Sequence, residues 1–148
     1  MTETEYFFVY GSLMEGFFNY DKALKDKVVF CAPARVKGKL YHQCNKGYPA
    51  LISGERYVYG ESIRVRDYEE TLLTMDEIEN YRTGGTDNEY QRRLTAVTDL
   101  TTGNTVNAYV YWYGREDLGE EENPVEWIPE GDWRLYMKRN ATGDIFAG

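Results

Sequence analysis

Few side chains in this sequence are placed to do chemistry, and the most telling is a carboxylate on an apolar helix face. Taking about 100° per residue, Tyr68, Leu72, Met75 and Glu79 fall within a stripe about 60° wide. Asp76 and Glu77 point instead to the flank and the opposite side. A carboxylate on such a stripe sits at a frayed helix end, paired with Arg82, Arg92 or Arg93 in a weak contact, or it is desolvated. Desolvation would raise its pKa toward the range useful for proton transfer near neutrality. A second feature is the junction Tyr10-Gly11-Ser12. A strand that ends in Gly-Ser frees backbone N–H groups from the ladder, and Gly lets the turn form a small anion-binding concavity. An ordinary loop after a first strand is the simpler reading, since Gly and Ser are common turn residues.

Other chemistries are poorly supplied. The sole histidine, His42, would have to serve any His-based triad, and no G-x-S-x-G elbow accompanies it. Carboxylates at metal-ligand spacing do not surround it, so no metal is expected. Cys31 and Cys44 give no disulfide framework and no zinc pattern, and two reduced thiols are expected. A net charge of −8 opposes binding of nucleic acid. Part of that charge lies in Glu116-Asp117 and Glu120-Glu121-Glu122, which read as a solvated loop. No apolar run spans a membrane and MTETEYFF does not read as a signal peptide, so the cytoplasm is the expected compartment. What chemistry there is would run on a carboxylate or a tyrosine. Tyrosine is abundant, at 14 residues, and suits a small barrel with a half-wet interior.

The elements that must carry these residues fit one domain over 1–148. Tyr6–Tyr10 reads as a strand stopped by Gly11-Ser12, and Leu13–Lys27 as a helix or a helix plus loop. Val28–Tyr41 reads as a strand pair or one long bent strand, with Ala34, Val36, Gly38 and Leu40 on one face. Tyr48–Ile52 is short, and Pro49 places it at an edge or bulge. Tyr57–Val65 puts Tyr57, Tyr59, Ile63 and Val65 on one face. Asp67 reads as the cap of the helix that ends near Asn80, with Glu69 and Glu70 at its positive end. A loop over Thr83–Asn88 leads to strands Tyr90–Asp99 and Thr105–Tyr113, and Trp133–Asn140 suggests a short helix. About six strands and two or three helices, without βαβα alternation, predict an α+β fold: a small mixed, mostly antiparallel β-barrel flanked by helices.

Together, Tyr10-Gly11-Ser12-Leu13, Gly38-Lys39-Leu40-Tyr41, Tyr48-Pro49-Ala50-Leu51, Asp76-x-x-Glu79 and Tyr90-x-Arg92 resemble the gamma-glutamylcyclotransferase-like family over nearly the whole chain. The opening Y-G-S-L and the D-x-x-E at a helix end are its specific parts. The resemblance implies a cofactor-independent enzyme that cyclises a gamma-glutamyl amine or amino acid to 5-oxoproline and releases the amine. It implies Glu79 as the general acid/base and Tyr10, Gly11, Ser12 and Leu13 as the substrate loop. Asn80 stands where many members have Gly, so the helix end is expected to differ slightly. Two other readings stand beside it: a small-acid binding module of the same fold without turnover, and a Tyr-rich protein-interaction barrel. The expected partner is a small gamma-glutamyl substrate, with no nucleic acid and no membrane, for a monomer or homodimer. The leaving amine and the roles of Tyr90, Arg92 and Tyr111 are left open.

Overall fold

The apolar run at the N-terminus becomes a strand buried on both faces, and the rest of the fold is arranged around it. The structure is a computed structural model that describes residues 4–82, 85 and 87–147, with side chains through Asn140. Part of the anticipated 83–88 loop and the first three residues of the anticipated non-leader therefore lie outside the described residues. Strand β1 (Tyr6–Val9) pairs antiparallel with β3 (Tyr48–Val65) and parallel with β5 (Thr105–Tyr113). Phe7, Phe8 and Val9 are all essentially inaccessible, which accounts for an unbroken apolar run in place of alternation.

The sheet order is β3-β1-β5-β4-β2-β6, with β4 at Tyr90–Asp99, β2 at Val28–Gln43 and β6 at Val125–Trp127. An additional β2–β3 pairing closes five strands into a mixed barrel and leaves β6 outside it. Three helices complete the fold: α1 (Phe18–Ala23), α2 (Tyr68–Ile78) and α3 (Trp133–Ala147). No helix among the described residues is long and apolar enough to cross a membrane.

Three expectations about elements are corrected. The segments 48–52 and 57–65 form one 18-residue strand, because β2 pairs with both: its residues 28–37 lie against 57–65 and its residues 39–43 against 48–52. The register shifts between Val28 and Phe30 and again between Lys37 and Lys39, and the second irregularity, opposite residues 53–56, stands where the sequence reads as a break. Pro49 does lie where β3 has only β2 as a strand neighbour, since β1 covers only Glu61–Arg64. Tyr57, Ile63 and Val65 share a parity, but Val58 and Ser62 face the barrel interior. Tyr57 is exposed, while Ile63 and Val65 are buried because the chain around α1 covers that end of the outer surface. The strand β6 had no signal beyond three residues and pairs with the end of β2.

Helix α2 starts as expected at Asp67, but not through a side-chain cap. Asp67 adopts φ 50° and makes no capping bond; its carboxylate instead receives Lys27 Nζ at 2.8 Å. The buried face is rotated slightly from the expected stripe. Thr71, Met75 and Asp76 are buried, whereas Tyr68 and Leu72 are only partly covered. Phe7 of β1 stacks on Tyr68, with ring centroids 5.4 Å apart, which seats the helix on the barrel.

Candidate functional site

The barrel opens into a cleft where the end of β1, the start of β3, the start of β4 and the end of α2 meet. It holds about 450 Å³ of empty space, including its mouth. Tyr10, Gly11, Ser12, Leu13 and Glu79 all line it, so the five residues singled out by sequence come together. Tyr48, Pro49, Glu89, Tyr90 and Tyr111 complete the wall.

The loop after β1 is shaped by local bonds. Met14 N–H donates to Gly11 O at 2.9 Å, closing a turn, and the N–H groups of Asn19 and Tyr20 donate to Ser12 O. Asn19 Nδ2 donates to Ser12 Oγ at 2.7 Å. Ser12 is thereby committed to holding the loop against α1. The N–H groups of Gly11, Ser12 and Leu13 meet no acceptor among the described residues and lie in the cleft wall. Gly11 is required by space: a Cβ there would lie 2.7 Å from Pro49 Cγ and 2.9 Å from Pro49 Cδ. The close approach of β1 to β3 at the cleft floor depends on that missing atom.

Glu79 is the C-cap of α2, following Ile78, where the helix hands over to a left-handed residue. Asn80 has φ 53°, its N–H donates to Glu77 O, and Tyr81 N–H donates to Asp76 O. This is the Schellman ending that Gly usually supplies. Asn80 adopts it in place of Gly, so the expected difference in the helix end does not arise in the backbone. The substitution instead adds a bond from Asn80 Nδ2 to Glu89 Oε1 at 2.9 Å.

The Glu79 residue is half-buried and lines the cleft, and no hydrogen bond to its carboxyl forms among the described residues. Burial pushes that carboxyl up to about 8, with the nearby charges of Glu89 and Asp76 adding to the effect. Pairing with an arginine is not seen: Arg92 Nη1 reaches Asp76 Oδ2 at 2.5 Å. Asp76, expected on the flank, is buried and also accepts the Tyr111 hydroxyl at 2.7 Å. The signal was available in D-x-x-E, since residues three apart on a helix lie about 60° from each other.

The tyrosines form the wall. Tyr10 donates to Tyr111 O and Tyr90 to Pro49 O, each at 2.5 Å, and Gln43 Nε2 donates to the Tyr90 hydroxyl at 3.1 Å. Burial holds the hydroxyls of Tyr10, Tyr90 and Tyr111 well above their ordinary pKa, so they are neutral donors. This places the residues whose roles were open: Tyr90 and Tyr111 build the cleft, and Arg92 anchors Asp76 behind it. Glu89 escaped the sequence reading because it stands alone before β4, with no periodicity to mark it.

Outside the cleft, His42 accepts Trp133 Nε1 at 3.1 Å and stacks on its ring. Burial lowers the His42 pKa, although Glu126 opposes this. Both cysteines are free. Of the acidic run, Asp117 departs from a solvated loop, accepting the Tyr113 hydroxyl at 2.6 Å. No group of three or more His, Cys, Asp or Glu placed to hold a metal ion occurs among the described residues.

Comparison with known proteins follows the same line. The sequence profile described as "Gamma-glutamyl cyclotransferase, AIG2-like" matches residues 7–135. A Methanocaldococcus jannaschii protein named "putative gamma-glutamylcyclotransferase" is 32% identical over 111 residues, covering 74% of this chain and 84% of that protein. Among solved structures, an AIG2-like protein of Mus musculus superposes with a TM-score of 0.59 at 24% identity, over 73% of this chain and 76% of its own. YkqA of Bacillus subtilis superposes with a TM-score of 0.65 at 20% identity, over 93% of this chain. The chain spans only 42% of the length of YkqA. At those identities the two structures are similar in fold alone.

Proposed function

This chain belongs to the gamma-glutamyl cyclotransferase, AIG2-like family, and from that premise we propose that it cyclises a gamma-glutamyl amine or amino acid to 5-oxoproline. The observation that carries the reading is Glu79: an unpaired carboxyl at a cleft, beside a loop of free backbone donors, with its pKa pushed up to about 8. A carboxylate of that basicity exchanges a proton with an ammonium far more readily than an ordinary glutamate does.

In this reading the substrate carries its own nucleophile. Ionised Glu79 takes a proton from the α-ammonium, and the freed amine attacks the γ-carbonyl carbon. The N–H groups near Gly11, Ser12 and Leu13 hold the substrate carboxylate or the developing oxyanion. As the tetrahedral centre collapses, the γ C–N bond breaks and Glu79 gives its proton to the departing amine; Glu79 then takes the second proton that the new ring nitrogen sheds and passes it on, so the amine leaves as an ammonium and Glu79 is ionised again. Bending the chain for a five-membered ring supplies several kcal/mol through proximity alone, roughly the scale seen for oriented intramolecular reactions. Water is not a reactant, and neither a metal nor an organic cofactor enters any step.

The test is a panel of gamma-glutamyl compounds assayed for 5-oxoproline. Acetylating the substrate α-amine should abolish turnover even where the blocked compound still binds. Glu79→Gln should cut kcat by about 10²–10⁴-fold with a smaller effect on binding. Free glutamate as the product would replace ring closure with hydrolysis. Tight binding of a small acid without product from any compound would favour the second reading, a binding module that kept the cleft and lost turnover. An interaction barrel would leave the cleft empty of any such ligand.

A further inference from the structure

Two carboxylates line the cleft, and the reaction above uses only one. Glu89, immediately before β4, is 4% exposed and saturated with donors. Its Oε2 accepts Tyr48 hydroxyl at 2.6 Å and Lys46 Nζ at 3.0 Å, and its Oε1 accepts Asn80 Nδ2 at 2.9 Å. These donors come from three places in the fold: the turn of the β2–β3 hairpin, the first residue of β3, and the residue after Glu79. Burial alone would raise the Glu89 pKa, but the Tyr48, Asn80 and Lys46 contacts outweigh it and hold the carboxyl below its ordinary value. Glu89 is therefore ionised when Glu79 is still protonated.

We propose that Glu89 is the positioning residue of this site: clamped by Lys46, Tyr48 and Asn80, it ties the helix end carrying Glu79 to the hairpin turn and sets a standing negative charge beside it. The assignment rests on the reading of Glu79 as the proton carrier. Asn80 is left-handed, its N–H bonds Glu77 O and its side chain bonds Glu89, so Glu89 helps to fix where the adjoining Glu79 enters the cleft. The charge matters because its compensation is uneven. The Lys46 side chain is 26% exposed and screened by water, whereas that of Glu89 is 5% exposed and acts through protein.

Of the other groups around Glu79, only Asp76 adds a charge, and its effect is the smaller of the two. Tyr10 just after β1, Tyr48 from β3, Tyr90 from β4 and Tyr111 from β5 have hydroxyl pKa values raised by burial and are neutral. Asp76 from α2 is paired with Arg92 of β4. Around Glu89 itself, Tyr113 of β5 is also neutral, its pKa raised by burial and by its bond to Asp117.

The experiment is a 13C NMR titration of the Glu79 side-chain carboxyl in the ligand-free protein, assigned by its loss in Glu79→Gln. Glu89→Gln should move the Glu79 midpoint down by about one pH unit, the scale of a neighbouring like charge. Glu89→Asp keeps the charge but shortens the reach; its Glu79 midpoint should stay within a few tenths of a unit, roughly, of the unchanged protein. In turnover assays the same Glu89→Asp protein should lose about tenfold in kcat with little change in KM, since the geometry at Glu79 is disturbed. An equal Glu79 midpoint in all three proteins would overturn the assignment, and so would full kcat in Glu89→Gln. Should Glu89→Gln not fold, Lys46→Met takes its place: removing the compensating cation should raise the midpoint, and a fall or no change refutes the proposal. The predicted shifts with no 5-oxoproline formed by the unchanged protein would support the Glu89 assignment and refute cyclisation instead.

Discussion

Replacing Glu79 by Gln should remove a pH-dependent weakness from the fold. In the native state the carboxyl titrates at about 8, against 4.5 for the free group. Between those values the folded chain holds a proton that the unfolded chain has released. Stability therefore falls as pH rises from about 4.5 to about 8 and is level above that. The difference of about 3.5 units (8 − 4.5), at about 1.4 kcal/mol per unit, gives up to ~5 kcal/mol on the plateau and ~3 kcal/mol at pH 7. Water reaching Glu79 through the cleft lowers both, so a gain of about 2–3 kcal/mol from pH 5 to pH 9 is the working expectation. A Gln amide carries its own burial cost, but that cost does not vary with pH. Urea unfolding followed by tryptophan fluorescence at pH 5, 7 and 9 measures the quantity that matters: the difference between the two proteins as a function of pH. It should widen in favour of Glu79→Gln toward alkaline pH. Parallel curves, or a variant that loses ground at pH 9, would refute a desolvated Glu79.

Activity should respond to the same group: kcat/KM should rise through a limb set by ionisation of Glu79, near pH 8, and a limb near 4.5 would show an ordinary glutamate at work. Gly11→Val should abolish ligand binding measured by calorimetry, because its side chain meets the Pro49 ring, while Ser12→Ala loses only the Asn19 contact and should weaken binding modestly. Equal, negligible effects would place the binding site elsewhere. Asn80→Ala should cost about 1–2 kcal/mol in thermal or urea unfolding from the left-handed backbone, whereas Asn80→Gly relieves that strain and loses only the Glu89 bond. Equal losses from the two would mean that the helix ending does not depend on conformation.

Much of the candidate site could be read in the sequence because it is written in local periodicity. Glu79 was visible as a charge on an apolar stripe, and the loop at Tyr10-Gly11-Ser12 as the end of a doubly buried strand. What escaped depends on contacts between distant segments. Glu89 has no local pattern; Lys46, Tyr48 and Asn80 become its partners only when the hairpin turn and the helix end converge. Asp76 was misjudged because a half-polar flank becomes interior once Arg92 and the Tyr111 hydroxyl are brought to it. The two parts of β3 were separated by Ser53-Gly54-Glu55, a turn-like sequence that has no partner in β2 but lies between two stretches that do pair with it. Pairing across a barrel overrides local preference there, as it commonly does in sheets.

The parallel contact between β1 and β5 also bears on how the protein is made. Phe7 pairs with Tyr109, and the Tyr10 hydroxyl reaches the carbonyl of Tyr111, 101 residues later. During synthesis β1 thus has to wait for a strand made about a hundred residues later, and closing so large a loop carries an entropic cost that local structure cannot offset early. Until then Phe7, Phe8 and Val9 lack one of their covers and present an adhesive segment, the kind that chaperones bind and that aggregates when translation stalls. The cleft is assembled late, when β5 docks, and a truncation before Tyr109 would lose the wall and the loop together.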